Sequence, residues 1–210
     1  MDIKSELIEK GIDPLVYGIP LRYQDLIQDF AGIGLDKNLE EKYTNIYRVG
    51  QLWVNRVVNK RESQGIFCFG RNGDGKSSFG SWLIMKALLG DVLAYRISAP
   101  DLHDEYCKSW MLPRKVLLNG ALFIDELGKE PQTKNDIAEG LIERILKYRF
   151  EHGLPTALAS NGTADQISAR YGKTVESIIK GNYIPIQFPN FNLMEFLGEL
   201  QRRDFMNELT

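Results

Sequence analysis

The segment Gly70-Arg71-Asn72-Gly73-Asp74-Gly75-Lys76-Ser77, followed by Ser78, has the pattern G-x-x-x-x-G-K-[ST]. Glycines at 70, 73 and 75 let the backbone curl, so that successive N–H groups point at one anion. A helix starting at Lys76 presents its positive N-terminal end to the same anion. This is chemistry for a polyphosphate. Lys76 reaches the β- and γ-phosphates of a nucleotide and Ser77 holds Mg²⁺. Residues 70–78 are therefore the predicted nucleotide-binding stretch. Asp74 stands where a small neutral residue is common; its carboxylate either points away from the phosphates or weakens binding by like-charge repulsion.

Ala121-Leu122-Phe123-Ile124 is an apolar run that ends in Asp125 and Glu126. After a phosphate loop, a strand with this ending supplies carboxylates to the reaction. Asp125 supports the Mg²⁺ shell, and Glu126 polarises an attacking water. A third run ends Ala159-Ser160-Asn161. Asn161 is either a sensor of the γ-phosphate, if its strand adjoins the one ending in Asp125, or the cap of the helix beyond Thr163. Lys76, Asp125, Glu126 and Asn161 form the predicted catalytic set, with Ser77 and Asp125 at the metal and with ATP and Mg²⁺ as cofactors.

These residues need a frame. Apolar runs predict strands at 66–69, 92–97, 121–124, 156–159 and 183–188. Helical periodicity predicts helices at 3–10, 38–61, 76–89, 101–110, 136–150, 164–171, 174–180 and 191–209. The strand runs are continuous rather than alternating, the pattern of a parallel sheet covered on both faces. The expected fold is a three-layer α/β P-loop NTPase with a parallel five-stranded sheet, a short N-terminal segment, a C-terminal helix and no full lid domain. Pro185 places its strand at an edge or an end. The expected divisions are 1–37 (N-terminal extension and leading segment), 38–190 (ATPase core) and 191–210 (amphipathic helix). Leu193, Phe196, Leu197 and Leu200 share one face of that last helix. It either packs on its own domain or serves as a handle for a partner.

Other signals leave alternatives open. Arg149 falls about 120° round its helix from Ile137, inside the apolar arc. A charge there needs a partner or an exit. Snorkelling at the helix end and contact with DNA or a neighbour's nucleotide both fit. Arg48, Arg56, Lys60 and Arg61, with Tyr47 and Trp53 among them, fit either a solvated helix face or a track for a phosphate backbone and stacked bases. His103 and His152 lack a second ligand at metal spacing and are expected on the surface.

The 210 residues (24.0 kDa) suffice for one core without a disulfide or structural metal. Hydrophobic residues at 43% and charged residues at 26% exclude a disordered chain. A net charge of −2 argues against a basic nucleic-acid coat protein and leaves room for a local basic groove. Cys68 reads as core. With Cys107 it forms neither zinc spacing nor a disulfide framework, which points to the reducing cytoplasm. No apolar run approaches the roughly 20 residues that span a bilayer, so no membrane partner is expected.

In order and spacing, these segments resemble the AAA+ ATPases of the bacterial helicase-loader family (DnaC and DnaI), which includes the transposition helper IstB. The resemblance is carried by Gly18-Ile19-Pro20-Leu21-Arg22-Tyr23 with Asp29-Phe30, and by Arg96-Ile97-Ser98-Ala99-Pro100-Asp101-Leu102. Ile124-Asp125-Glu126-Leu127-Gly128 matches the family's Walker B segment, and Tyr148-Arg149-Phe150-Glu151, Pro155-Thr156 and Ser160-Asn161 match the run into its sensor strand. It implies an ATP-dependent ring or spiral in a bacterial cell, cellular or phage-encoded, with single-stranded DNA and a replicative DNA helicase as partners in DNA replication. Two family arginines are missing. Thr174 and Ile178 stand at the arginine positions of the helix after the sensor strand, and Phe188-Pro189-Asn190-Phe191-Asn192 stands where the second sensor arginine belongs. The nearby cations are Arg170, Lys173 and Lys180. With Arg149 they are the candidates for DNA or inter-subunit contact, although a lysine does not copy the guanidinium fork. Three alternatives remain: an IstB-like helper of a transposase, a nucleotide-dependent binding module with little turnover, and a small-molecule kinase. The kinase would need an arginine-rich lid, for which residues 101–119 offer only Arg114 and Lys115.

Overall fold

Residues 2–23, 30, 33–60, 64–118, 120–131 and 137–208 are described in a computed structural model of the chain. Arg61, Asp29 and Asp136 lie outside them. Helix α1 (Ile3–Glu9) starts at Asp2, whose carboxylate accepts from the Ser5 N–H at 2.9 Å. Two 3₁₀ turns follow, Pro14–Tyr17 and Leu21–Tyr23. Asp36 caps α2 (Lys37–Val58) by accepting from the Asn38 and Leu39 amides. Strand and helix then alternate: β1 (Gly65–Phe69), α3 (Lys76–Leu89), β2 (Ala94–Ser98), α4 (Ala99–Ser109), α5 (Arg114–Leu118), β3 (Ala121–Leu127), α6 (Ile137–Glu151), β4 (Thr156–Ser160), α7 (Ala164–Asn182), β5 (Tyr183–Gln187) and α8 (Leu193–Glu208).

The strands pair in parallel in the order β2-β3-β4-β1-β5. β4 therefore lies between the strand that leads into the phosphate loop and the strand that ends in Asp125. Pro185 sits on β5, at the sheet's edge, where a missing N–H costs no ladder bond. One apolar layer packs α1, α2, α3 and the start of α8 on one face of the sheet. The other packs α4 to α7 on the opposite face. The N-terminal residues Ile3, Leu7 and Ile19 and the C-terminal Leu193 belong to the first layer. α3 sits close on the sheet because Gly80 has no side chain; a Cβ there would lie 2.0 Å from the Phe123 ring. No described helix is long and apolar enough to cross a membrane.

The predicted break between the pieces 164–171 and 174–180 is present: non-helical backbone at Gly172 (φ 79°, ψ 173°) divides α7 into two helices there. Other expectations need correction. The short helix α5 carried no periodicity long enough to predict. His103 is buried, not on the surface: it lies on the inner side of α4, with a ring nitrogen 3.6 Å from the Cys107 sulfur. Tyr47 and Trp53 are also buried, packed into the core, while Arg48, Arg56 and Lys60 are exposed. The described part of that helix therefore has no aromatic rings among its cations to stack bases.

Arg149 is no DNA or inter-subunit contact, because it is fully buried. Its Nε donates to the Thr156 hydroxyl at 2.8 Å, and its Nη atoms donate to the Val116 and Pro155 carbonyls at 2.8 Å. It ties α5 and α6 to the N-terminal end of β4, the end away from the phosphate loop. Burial lowers its guanidinium to about 10, which leaves it charged at neutral pH. Arg149→Met strips these acceptors of their donor, so the expected loss is about 2–4 kcal/mol in urea unfolding, with nucleotide affinity retained.

Candidate functional site

β1 runs straight into the phosphate loop, and the loop into α3. Gly73 (φ 82°) and Gly75 (φ 99°) take left-handed backbone that L side chains rarely adopt. Gly73 is also crowded: a Cβ would come within 2.3 Å of the Asn192 Oδ1. Elements distant in sequence fix the loop from outside. The Tyr43 hydroxyl on α2 donates to the Asp74 carbonyl at 2.9 Å. The Met194 N–H at the start of α8 donates to the Gly73 carbonyl at 3.1 Å. Burial and the nearby Asp74 carboxylate push the Tyr43 phenol up, so it remains a donor.

Lys76, Ser77, Asp125, Glu126 and Asn161 line one cleft with Asn72, Tyr23, Lys129 and Met194. The β2-β3-β4-β1 order places the loop after β1, the Asp125–Glu126 end of β3 and Asn161 after β4 at the C-terminal edge of the sheet, the edge where parallel α/β sheets bind ligands. Asn161 follows β4 directly, and its Nδ2 donates to the Asn72 Oδ1 of the loop at 2.9 Å. The helix cap belongs to Thr163 and Gln166, which form a capping box.

The charged groups of the cleft are engaged within the chain. The Lys76 ammonium donates to the Gly70 and Arg71 carbonyls at 3.0 and 2.6 Å and to the Asp74 Oδ1 at 2.8 Å. Asp74 is 1% exposed. Its side chain does not turn out to solvent but folds back beneath the loop onto Lys76. Burial pushes its carboxyl up from the usual range, against the pull of the Lys76 ammonium. The Asp125 Oδ2 accepts from the Arg96 Nη2 at 2.6 Å, and its Oδ1 accepts from the Glu126 N–H at 2.8 Å. Glu126 lies where the β3–β4 register shifts, in left-handed backbone (φ 57°), and pairs with Lys129 at 2.8 Å.

Hard oxygens suit magnesium. Ser77 and Asp125 present such oxygens to the cleft. Among the described residues no group of three or more His, Cys, Asp or Glu is placed to hold a metal unaided. A magnesium ion here would depend on phosphate oxygens and water for the rest of its shell.

The remaining cations lie elsewhere. Arg170 is held by Glu130, through the carbonyl at 2.6 Å and the carboxylate at 3.1 Å. The Tyr171 hydroxyl donates to the same carboxylate. Lys180 is bound to Asp165 and Glu176, and Lys173 is exposed on α7. Sequence reasoning did not assign roles to Arg96, Lys129, Tyr43 or Met194. Arg96 alone left a trace, as a single charge inside an apolar strand.

Neither a family model nor a curated protein matches the sequence. Solved structures do. A structure of the DnaC helicase loader superposes with a TM-score of 0.63 at 18% identity, over 70% of this chain and 90% of that one. The fold, a five-stranded parallel sheet with helices on both faces, is shared with that structure. A structure of DnaI gives a TM-score of 0.60 at 21% identity, over 76% of this chain and 88% of that one. The replication initiator DnaA bound to AMPPCP and single-stranded DNA gives 0.62 at 14% identity, over 77% of this chain and 51% of that one. In this frame the Tyr43 hydroxyl steadies the loop through the Asp74 carbonyl. Tyr43→Phe should cost about 1 kcal/mol of stability in urea unfolding and weaken nucleotide binding severalfold by calorimetry, since it frees the Asp74 carbonyl.

Proposed function

We propose that the cleft binds ATP with Mg²⁺ and hydrolyses it, and that nucleotide state governs the engagement of single-stranded DNA and a replicative helicase, the work of a helicase loader. The observation that carries this reading is the convergence of Lys76, Asp125, Glu126 and Asn161 on one cleft beside a glycine-rich loop. The likeness in fold to the DnaC helicase loader and DnaI supports the choice of partner. Lys76 and the loop amides stabilise charge on the transferred phosphoryl group. Glu126 orients the attacking water, and Asn161 reads the γ-phosphate. Ser77 and Asp125 would hold magnesium, whose charge offsets that of the β- and γ-oxygens.

A second reading, a nucleotide-dependent binding module with little turnover, is favoured by two observations. Glu126 is paired with Lys129, and Thr174 and Ile178 stand where loaders carry arginines.

Lys76→Ala should abolish magnesium-dependent ATP binding in calorimetry. Glu126→Gln should keep that binding and lower phosphate release by about 10²- to 10⁴-fold. Wild-type turnover below detection, with ATP still shifting the anisotropy of labelled single-stranded DNA, would select the binding module. Capture of a replicative helicase against capture of a transposase separates a loader from a transposition helper.

A further inference from the structure

Among the described residues, three buried side-chain polar atoms have no hydrogen-bond partner: Asp74 Oδ2, Arg96 Nε and Trp82 Nε1. Two of the three belong to charged groups tied to the nucleotide cleft: Asp74 lines it, and Arg96 pairs with Asp125, which lines it. Buried polar atoms are nearly always satisfied, so one unsatisfied atom on each of two charged groups tied to the same cleft points to an arrangement kept for another state.

Each group is paired with a residue that a magnesium nucleotide needs. An ammonium has three N–H donors. Those of Lys76 are matched by the Gly70 carbonyl, the Arg71 carbonyl and the Asp74 carboxylate, so none is left over for a phosphate. Arg96 brings a positive charge to within 2.6 Å of the Asp125 Oδ2, the carboxylate placed to serve the metal. Its other contacts are the Gly18 carbonyl at 3.3 Å and the Tyr23 ring at 5.1 Å, both from the N-terminal segment. Both ion pairs are at least nine-tenths buried, where water screens them little.

We infer that Asp74 and Arg96 are internal stand-ins for the two halves of a magnesium nucleotide, so that the nucleotide binds by displacement. Asp74 holds Lys76 as a phosphate would, and Arg96 holds Asp125 as the metal would. To meet a phosphate, Lys76 gives up its bond to Asp74 and leaves a buried carboxylate without its counter-charge. To serve a cation, Asp125 shares the oxygen that Arg96 holds. The two residues therefore set affinity separately: Asp74 for the phosphates, Arg96 for the metal. Arg96 also makes the N-terminal segment the element that feels the exchange, since its remaining contacts are there. The inference rests on the nucleotide reading of the cleft.

Calorimetry on the full chain tests it, with ATP titrated in EDTA and again in excess Mg²⁺. Asp74→Asn keeps an acceptor for Lys76 and removes the charge. It should tighten binding in EDTA by about tenfold or more, with the gain on adding Mg²⁺ unchanged. Arg96→Gln should leave binding in EDTA within about twofold of wild type and enlarge the gain on adding Mg²⁺. Asp74→Ser and Arg96→Met serve as second variants, and thermal unfolding confirms that each protein titrated is folded. Affinity in EDTA that is unchanged or weaker in folded Asp74 variants overturns the phosphate half. An unchanged gain on adding Mg²⁺ in folded Arg96 variants overturns the metal half. Wild type that binds while the variants match it overturns this inference and leaves the nucleotide reading standing. Absence of binding in wild type and all variants overturns both.

Discussion

An ammonium with little access to water needs an acceptor for each of its N–H bonds. Lys76 finds them in the Gly70 and Arg71 carbonyls and the Asp74 carboxylate. Much of the site is arranged around that requirement. The loop curls so that its early carbonyls face the ammonium. The Tyr43 hydroxyl holds the Asp74 carbonyl, and the start of α8 holds the Gly73 carbonyl. Helices from opposite ends of the chain are thus fastened to one short loop.

Parallel strand order does the rest. Because β4 lies between β3 and β1, Asn161 emerges next to the phosphate loop and on the same edge as Asp125. Residues separated by tens of positions in the chain become neighbours without any loop having to reach for another. The register shift after Ile124 and the left-handed backbone at Glu126 turn that carboxylate into the cleft rather than along the strand. A sparsely populated backbone conformation is a cost that the surrounding sheet must hold in place.

The fold is shared with structures at 14–21% identity, a range in which architecture persists while the charges of a site are free to change. In this chain the cleft carries matched pairs: Lys76 with Asp74, Asp125 with Arg96, and Glu126 with Lys129. A site balanced in this way is held still by its own charges. A ligand enters it by exchanging partners rather than by filling a field of one sign.

The phosphate loop, the Asp125–Glu126 strand end, the parallel sheet and the edge position of Pro185 were legible in the residues, because each rests on local chemistry: glycine at a left-handed turn, apolar runs of strand length, a proline that cannot donate to a ladder. Helix ends were legible to within a few residues for the same reason. Arg149, His103 and the partners of Asp74 and Asp125 were not. A charge in an apolar arc announces that a partner exists without saying which. For Arg149 the partners are carbonyls from α5 and from the turn before β4, remote in sequence and brought together only by packing. Arg96 meets Asp125 only because β2 pairs with β3. The chain's order of residues set the glycine-rich loop and the two strand-end acids, a pattern that suits a polyphosphate. Tertiary structure decided which internal charges that ligand must displace, since electrostatic pairing depends on distance in space and a sequence records only distance along the chain.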